Sequence, residues 1–320
     1  MKKTIFLIFV LVLTVVLFGS AISMAADYPA KLITLINPWS AGGGTDVVAR
    51  TLAEELKSIL GVNVIVVNKT GGSGAIGIAA AAASEPDGYT LFINDKSFIS
   101  SYYMGVTKIR WDDMQPVCRL DVATHAIVIR NDAPWKTPQE FIDDAKARPG
   151  EITIGVSGIG GMSHLNAENF KIASGADIKI VSFEGAAKSV AALAGKHIDA
   201  MSAQLGEAKG FVDAGEFRWL AVGDDKRHPA YPDTPTFKES GVDFQLNQYR
   251  VIWAPKNTPM DRVNIIANAV EQAMKTESMK KILENTLCQN YFMGPEELTK
   301  ELEKQDVILK NLVKDSGLLK

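Results

Sequence analysis

A run of three glycines between a short apolar segment and an amphipathic segment constrains this chain more than any other feature. Residues 33–36 are apolar or β-branched, as in a buried parallel strand, and Pro38 ends the strand because it cannot donate to a ladder. The glycines at 42–44 allow a sharp turn and a close approach of the backbone to a ligand. Residues 47–60 then carry apolar side chains at helical spacing, with Gly61 as the stop. The stretch predicts a strand, a tight loop and a helix.

The start of this helix is a candidate anion site. Gly44 or Thr45 is expected to cap the helix, and Asp46 lies in its first turn, where unpaired N–H groups meet the positive end of the helix dipole. Loops of this kind at the carboxyl end of a strand bind anions. The loop contains no Lys or Arg. We therefore expect a carboxylate to be held by N–H groups, hydroxyls and water rather than by an ion pair. The alternative is that the loop is only a tight connection.

The second half of the chain repeats the pattern. Residues 152–156 predict a strand, residues 157–162 a glycine-rich loop, and Ser163 a cap for a helix over 164–173. Strand and helix patterns also alternate elsewhere in both halves, which favours βαβ units, parallel doubly wound sheets and an α/β fold. Ligands of open α/β sheets bind outside the carboxyl ends of the strands. Two sheets with these ends facing one cleft would form a clamshell.

Two motifs resemble the binding or catalytic sites of other protein classes. Gly72, Gly74 and Gly77 match the dinucleotide-binding pattern, and Asp95 lies at the end of the next predicted strand. However, the first of these glycines does not follow its strand directly, so we prefer a tight helix start packed on its strand. Residues 155–159 nearly match the nucleophile elbow of hydrolases, but isoleucine replaces the final glycine. Neither pattern predicts an enzyme, and no cofactor is expected.

The amino terminus has the features of a secretory signal peptide. Lys2 and Lys3 precede an apolar run over 5–18, and Ser23 and Ala25 provide the small residues of a cleavage site. We predict cleavage after Ala25 and a periplasmic mature protein; the alternative is a retained membrane anchor. The formal net charge of the chain is −3, and no basic stripe is present, which argues against a nucleic-acid partner.

Metal and disulfide chemistry find little support in the sequence. The four histidines are scattered and no metal-ligand spacing is present, so no metal site is predicted. Cys118 and Cys288 are the only cysteines. Export would permit a disulfide between them, but the sequence does not establish their proximity.

Several segments together resemble the Bug family, the extracytoplasmic substrate-binding proteins of tripartite tricarboxylate transporters. The resemblance rests on residues 28–46, on 68–91 with its Glu-Pro-Asp-Gly-Tyr-Thr-Leu ending, and on the loop at 155–165. It extends through 183–200 and the late segments at 253–256 and 294–297, and so covers essentially the whole mature chain.

The resemblance implies a two-domain, type II periplasmic-binding-protein-like clamshell with the ligand cleft between its sheets. We expect a signal peptide over 1–25, one domain over 26–124 and 247–320, and a second over 125–246. It also implies a small organic carboxylate, of the di- or tricarboxylate class, gripped between the two glycine loops and passed to membrane transporter subunits. We expect a monomer without enzymatic activity; the alternative is an exported enzyme acting on a small carboxylic acid.

The candidate ligand-binding residues lie in the two loops or at the ends of neighbouring predicted strands. They are Trp39, Ser40, Ala41, Gly42, Gly43, Gly44, Thr45, Asp46, Lys96, Ser97, Ser157, Gly158, Gly160, Gly161, Ser163, His164, Glu184, Gly185 and Gln204.

Overall fold

The computed structural model of the chain describes residues 28–243 and 247–319. The predicted signal peptide and the start of the mature chain at Ala26 lie outside the described residues. The strands are β1 (Ile33–Asn37), β2 (Val64–Asn68), β3 (Thr90–Asp95), β4 (Met114–Ala123), β5 (His125–Arg130), β6 (Thr153–Val156), β7 (Lys179–Ser182), β8 (Ala200–Gln204), β9 (Phe217–Val222), β10 (Arg250–Pro255) and β11 (Cys288–Met293). The α-helices are α1 (Gly44–Leu60), α2 (Ala75–Ala82), α3 (Ser97–Tyr103), α4 (Pro138–Ala147), α5 (Met162–Ser174), α6 (Ala186–Ala194), α7 (Leu205–Asp213), α8 (Met260–Ala273), α9 (Glu277–Asn285) and α10 (Pro295–Asp315).

The strands form two separate sheets. The first has the order β11-β4-β10-β3-β1-β2 and the second the order β7-β6-β8-β5-β9. The chain passes from the first sheet to the second between β4 and β5, through Thr124, and returns between β9 and β10. This two-sheet α/β architecture agrees with the predicted clamshell, while the domain boundaries stay a prediction.

The sheets are mixed rather than wholly parallel as the alternating pattern had led us to expect. β1 pairs in parallel with β2 and β3, whereas β10 is antiparallel to both β3 and β4. In the second sheet β6 is parallel to β7 and β8, and β5 is antiparallel to β8 and β9. The parallel part of each sheet contains the strand that leads into a glycine-rich loop. The strands next to the crossings between the sheets pair antiparallel, and the edge strand β11 is also antiparallel to β4.

Each sheet buries apolar residues on both faces. On the first sheet, α1, α8 and α9 cover one face through residues such as Leu52, Val263 and Met279. The other face is covered by α2, α3 and α10, and Met162 and Leu165 of α5 join this same cluster. Burying such a side chain contributes about 1.5–3 kcal/mol. Since α5 begins directly after the second loop, this packing fixes that loop against the first sheet.

Three elements were missed by the sequence analysis. The helix Ser97–Tyr103 is buried on almost every side, so it shows no amphipathic period. The helix Leu205–Asp213 contains Gly206 and Gly210, which lower helix propensity. The strand Cys288–Met293 is an edge strand with polar residues at its centre.

β4 begins at Met114 and includes Pro116. Pro116 is accommodated at a register shift opposite Ile252 and Trp253, where the ladder is already interrupted. Residues 224–241 are mostly non-regular, apart from a short 3-10 helix over Lys238–Ser240.

Candidate functional site

The two glycine-rich loops end in the same backbone conformation. We call residues 38–43 the first loop and residues 157–161 the second loop. Gly42 and Gly160 both have φ of +80°, in the left-handed region that favours glycine. Gly43 and Gly161 follow as the N-caps of α1 and α5, with φ/ψ of −72°/164° and −75°/170°. The predicted repetition of the pattern is therefore present in the geometry as well as in the sequence.

Both helices begin without a side-chain cap. We expected Gly44 or Thr45 to cap α1 and Ser163 to cap α5, and both expectations were wrong because glycines occupy the two N-cap positions. A helix leaves its first N–H groups without acceptors inside the helix, and a glycine cap has no side-chain oxygen to offer them. The N–H groups of the first turn after Gly43 and Gly161 thus remain available to an anion.

Asp46 holds the first loop in shape. Its carboxylate accepts hydrogen bonds from Gly42 N (2.9 Å), Asn37 Nδ2 (3.3 Å) and Asn68 Nδ2 (2.7 Å), and from Arg50 Nε (2.8 Å). The carboxylate thereby ties the ends of β1 and β2 to the loop and to α1. The residue is only 2% exposed, and its oxygens are occupied by protein donors. Asp46 is thus placed to position the loop, and a direct contact with ligand stays a prediction.

His164 occupies the corresponding place in the second loop. Gly160 N donates to His164 Nδ1 at 3.1 Å, just as Gly42 N donates to the residue four positions after it. Ser163 serves the loop instead of capping the helix, because its Oγ accepts a hydrogen bond from Ser157 N at 2.9 Å. The two serine hydroxyls also lie 2.8 Å apart. The second loop is therefore held by two hydroxyls and by a histidine whose Nε2 lies 3.6 Å from Glu168 Oε1.

Contacts between the two halves bring the loops into one region. A Cβ built on Gly74 would lie 3.7 Å from the ring of Trp39, and the neighbouring Ser73 Oγ donates to Ile159 O at 3.4 Å. A Cβ on Gly160 would lie 3.2 Å from Met104 Cε. Residues 73–74 thus link the first loop to the second loop. Met104, which directly follows α3, also lies beside the second loop at Gly160.

A polar network joins the sheets behind the loops. Gln248 Nε2 donates to Asp95 Oδ2 at 2.9 Å, and its Oε1 accepts from Gln204 Nε2 at 3.1 Å. The same oxygen lies 2.9 Å from His125 Nε2, which requires that nitrogen to carry the proton. Burial lowers the pKa of His125 to about 4, so the ring is neutral at neutral pH. Gln248 therefore connects the end of β3 with the ends of β5 and β8.

The other predicted site residues lie in different surroundings. Lys96 is buried and donates to Gln305 Oε1 of α10 at 3.3 Å, and burial lowers its pKa to about 7. Ser97 is committed to Asp95, to which both its N–H and its hydroxyl donate. These contacts turn both residues toward protein groups and not toward either loop.

The predicted site residues of the second sheet differ in their contacts with the second loop. Gly185 N donates to Ser157 O at 3.2 Å, so the turn before α6 supports the second loop. The side chain of Glu184 is 88% exposed and pairs with Lys188, which lowers the pKa of Glu184. Gln204 is half-buried and belongs to the Gln248 network. Ser40, Ala41, Gly43 and Gly44 are exposed along the first loop and the start of α1.

Several residues that shape the site were absent from the sequence prediction. Asn94 accepts a hydrogen bond from Trp39 Nε1 at 3.0 Å, and Asn68 donates to Trp39 O at 2.9 Å. Arg250 also approaches the start of α1 from below, with its Nε donating to Thr45 Oγ1 at 3.4 Å. Asn68 and Asn94 end or nearly end their strands, a position that marks candidates for such a site. No local pattern identifies Arg250.

Gly74 has a structural role, because it packs the start of α2 against the first loop. It has φ of +94° and caps α2, and a Cβ there would touch Pro38 and Trp39 of the first loop. Gly77 packs even more tightly, since its Cβ would lie 2.8 Å from Pro38 Cβ. This agrees with the interpretation of the glycine motif as a helix start packed on its strand. A substitution at Gly74 would therefore disturb the first loop.

Metal and thiol chemistry are not indicated in the described part of the chain. No group of three or more His, Cys, Asp or Glu side chains there could hold a metal ion. Cys118 and Cys288 are both free and buried, so they form no disulfide. Burial raises the pKa of both thiols, which makes them unreactive.

Two open hollows on the surface lie elsewhere. One, of about 560 Å³, is lined by residues near the amino ends of β1 and β3, including Lys31 and Thr90. The other, of about 480 Å³, lies beside Arg130 and Lys196. Parallel sheets bind ligands at the carboxyl ends of their strands, and the first hollow lies at the opposite edge. The glycine loops therefore remain the candidate site.

The ionisation of Asp46 predicts an acid-sensitive contribution to stability. Burial opposes its charge, but the hydrogen bonds from Arg50, Gly42 and Asn68 outweigh burial and lower its pKa from 3.8 to about 2. A carboxyl with a lowered pKa stabilises the fold above its unfolded pKa, and this stabilisation disappears as the pH falls through the folded value. We expect about 2 kcal/mol to be lost between roughly pH 5 and pH 2. Urea unfolding of the wild type and Asp46→Asn across this range measures it; a stability difference independent of pH would contradict the assignment.

Comparisons with known proteins agree with this architecture. A family model described as tripartite tricarboxylate transporter family receptor matches residues 48–318. A Cupriavidus necator protein described as UPF0065 protein in gbd 5'region is 30% identical over 297 residues, which are 91% of this chain and 90% of that protein. The structure of periplasmic binding protein BugD is 28% identical with a TM-score of 0.81, covering 91% of this chain and 99% of that one. The structure of R. palustris Rpa4515 with adipate is 27% identical with a TM-score of 0.83 and the same coverage.

Proposed function

Because this chain belongs to the tripartite tricarboxylate transporter receptor family, we propose that it captures a small di- or tricarboxylate and delivers it to a membrane transporter of that type. The family match and the likeness to BugD confirm the resemblance to the Bug family. The matched proteins are solute receptors, so the chain is a binding protein and not an enzyme. The alternative of an exported enzyme is thereby set aside.

One observation carries the proposal on the ligand. α1 and α5 each begin with an uncapped glycine at the carboxyl end of a parallel strand, so two sets of free N–H groups lie in one region. Each set suits the oxygens of a carboxylate, and a ligand with two carboxylates could engage both at once. The structure of Rpa4515, a protein similar to this chain in fold and sequence, is one with adipate, which is a dicarboxylate. The candidate contacts are the residues predicted in and around the two loops.

Thermal unfolding in the presence of mono-, di- and tricarboxylates tests this proposal. A ligand that binds only the native state adds RT ln(1 + [L]/Kd), about 2.7 kcal/mol at a hundredfold excess over Kd. We expect dicarboxylates such as adipate, or tricarboxylates, to raise the unfolding temperature, and monocarboxylates of similar length to have a smaller effect. If no di- or tricarboxylate changes the unfolding temperature, the proposed ligand class is wrong.

Export and cleavage form a separate proposal. Receptors of this family are periplasmic. No helix in residues 28–243 or 247–319 combines the length and apolar character needed to cross a bilayer. We propose that the signal peptide is removed after Ala25 and that the mature receptor is a monomer. The intact mass of the exported protein is expected to begin at Ala26; a mass that includes residues 1–25 would refute cleavage.

A further inference from the structure

A cation reaches the first loop from a distant part of the chain. Arg250 is the first residue of β10 and lies opposite Asp95 of β3, at the carboxyl end of that strand. The residue is only 1% exposed. Its Nε donates to Thr45 Oγ1 at 3.4 Å, and a Cβ built on Gly44 would lie 3.3 Å from its Nη2. The guanidinium is therefore situated directly beneath the first turn of α1.

The guanidinium is only partly satisfied by protein groups. Nη1 donates to Asp121 Oδ2 and lies 3.5 Å from Cys288 Sγ, while the backbone N–H of Arg250 donates to Asp121 Oδ1 at 3.1 Å. Nη2 donates no hydrogen bond to any residue in the described part of the chain. The Nη2 group of this buried guanidinium therefore faces the start of α1, and its N–H donors have no acceptor among the described residues.

The guanidinium lies where the helix dipole already places positive charge, and its counter-ion Asp121 pairs with the other fork. The amino end of a helix carries a partial positive charge, and anions stabilise it whereas cations do not. Burial alone would lower the pKa of Arg250, but the charge of Asp121 outweighs burial and keeps the guanidinium protonated. Asp95 and Glu207 also lie within electrostatic range, and burial raises the pKa of both. A ligand carboxylate at Gly44 would pair the unused donors with the open N–H groups.

We propose that Arg250 is a specificity-determining residue, whose Nη2 and the first-turn N–H groups of α1 together bind one carboxylate of the ligand. This inference rests on the proposed function. It changes the expectation from the sequence, because a carboxylate at the first loop would receive a charged hydrogen bond as well as neutral ones. Such bonds are shorter and about twice as strong as neutral ones. The receptor would then select ligands with a carboxylate at this end over amides or alcohols of the same shape.

Substitutions of the ion pair separate ligand binding from a purely structural role. In Arg250→Lys the ammonium can still pair with Asp121, but it lacks the second fork that faces Gly44. We expect carboxylate affinity to fall by about tenfold to a hundredfold, the loss of one charged hydrogen bond. In Asp121→Asn, Nη2 of Arg250 still faces Gly44, but the negative charge that balances the guanidinium is lost. We expect carboxylate affinity to be kept or to rise, even though the protein becomes less stable. Arg262→Lys, at the opposite edge of the sheet beside Asp87, is the control and should keep wild-type affinity.

Affinity is measured by calorimetry with the dicarboxylate that stabilises the wild type most. The double variant Asp121→Leu with Arg250→Met is the control for misfolding. An apolar pair of similar volume commonly preserves stability when it replaces a buried ion pair. We expect this variant to fold and to bind at least about tenfold more weakly. If the double variant and Arg250→Lys both bind as tightly as the wild type, Arg250 has only a structural role. If the wild type binds no carboxylate at all, the proposed function itself fails.

Discussion

Replacing Gly43 by valine is expected to weaken carboxylate binding by about a hundredfold or more. Gly43 caps α1 with φ of −72° and ψ of 164°, an extended conformation that valine adopts readily. The glycine with a left-handed φ is its neighbour Gly42. A Cβ at Gly43 would already lie 3.3 Å from Ser40 O, so the added methyl groups crowd the loop and screen the N–H groups of the first turn.

The size of the effect follows from the donors that become blocked. Hydrogen bonds to a charged group contribute about 1.5–3 kcal/mol each, and two of them correspond to at least a hundredfold in Kd. Gly294→Val is a matched control, because Gly294 caps α10 with φ of −72° and ψ of 174° and a Cβ there meets nothing within 4 Å. Calorimetry on both variants, with circular dichroism to verify folding, measures the difference. Equal affinities of the two variants would show that the first loop does not bind the ligand.

Replacing Asp46 by alanine is expected to cost about 3 kcal/mol of stability and to weaken binding as well. The buried carboxylate of Asp46 accepts hydrogen bonds from Gly42 N, from Asn68 Nδ2 and from the exposed side chain of Arg50. Its removal deprives these donors and the buried Asn37 Nδ2 of a charged acceptor. A hydrogen bond to a charged group contributes about 1.5–3 kcal/mol, and less where water can replace the acceptor, as at Gly42 and Arg50. The loop would then lose the conformation that directs its N–H groups at a ligand.

A series of three variants distinguishes this role from a general loss of charge. His164→Ala removes the equivalent acceptor of the second loop but only one backbone contact, so we expect a smaller loss, about 1–2 kcal/mol. Asp144→Ala is the control, since Asp144 also pairs with an arginine four residues away and accepts from Trp135 Nε1, yet touches neither loop. Urea denaturation and calorimetry are the measurements. If Asp144→Ala is as harmful to ligand affinity as Asp46→Ala, the loop network is not responsible.

The sequence predicted those parts of the site that local patterns encode. The apolar run at 33–36, the following glycines and the amphipathic run to residue 60 identified β1, the first loop and α1. The start of α4 follows local sequence in the same way, because Thr137 precedes Pro138 and its Oγ1 accepts from Glu140 N at 3.2 Å. In these segments, backbone preference and hydrophobic periodicity act within a few residues and agree with each other.

The parts that depend on strand order could not be predicted in the same way. Asp46 was identified as a first-turn acid, but its partner Asn68 becomes a neighbour only because β2 pairs with β1 in register. Arg250 reaches Gly44 only because β10 inserts between β3 and β4. The sequence therefore correctly reported a first loop without a basic residue, but it led us to expect no cation near that loop.

The structure places one candidate residue, Lys96, away from both loops. Lys96 was included because it follows β3, yet its ammonium lies against Gln305 and the ring of Tyr249. The direction of a side chain at a strand end depends on what packs there, in this case α10, which follows about 200 residues later in the chain. Hydrophobic periodicity contains no information on such a contact.

A titration of the ¹⁵N-labelled mature protein with the best-binding dicarboxylate tests the central claim most directly, because it reports on each backbone N–H. We predict that the amide resonances of Gly44–Asp46 and of Met162–His164 shift together and saturate at one equivalent of ligand. Those at the start of α10, after Gly294, should not move. A dicarboxylate that binds while the amides of one or both loops remain unchanged would contradict a carboxylate held between the two helix starts.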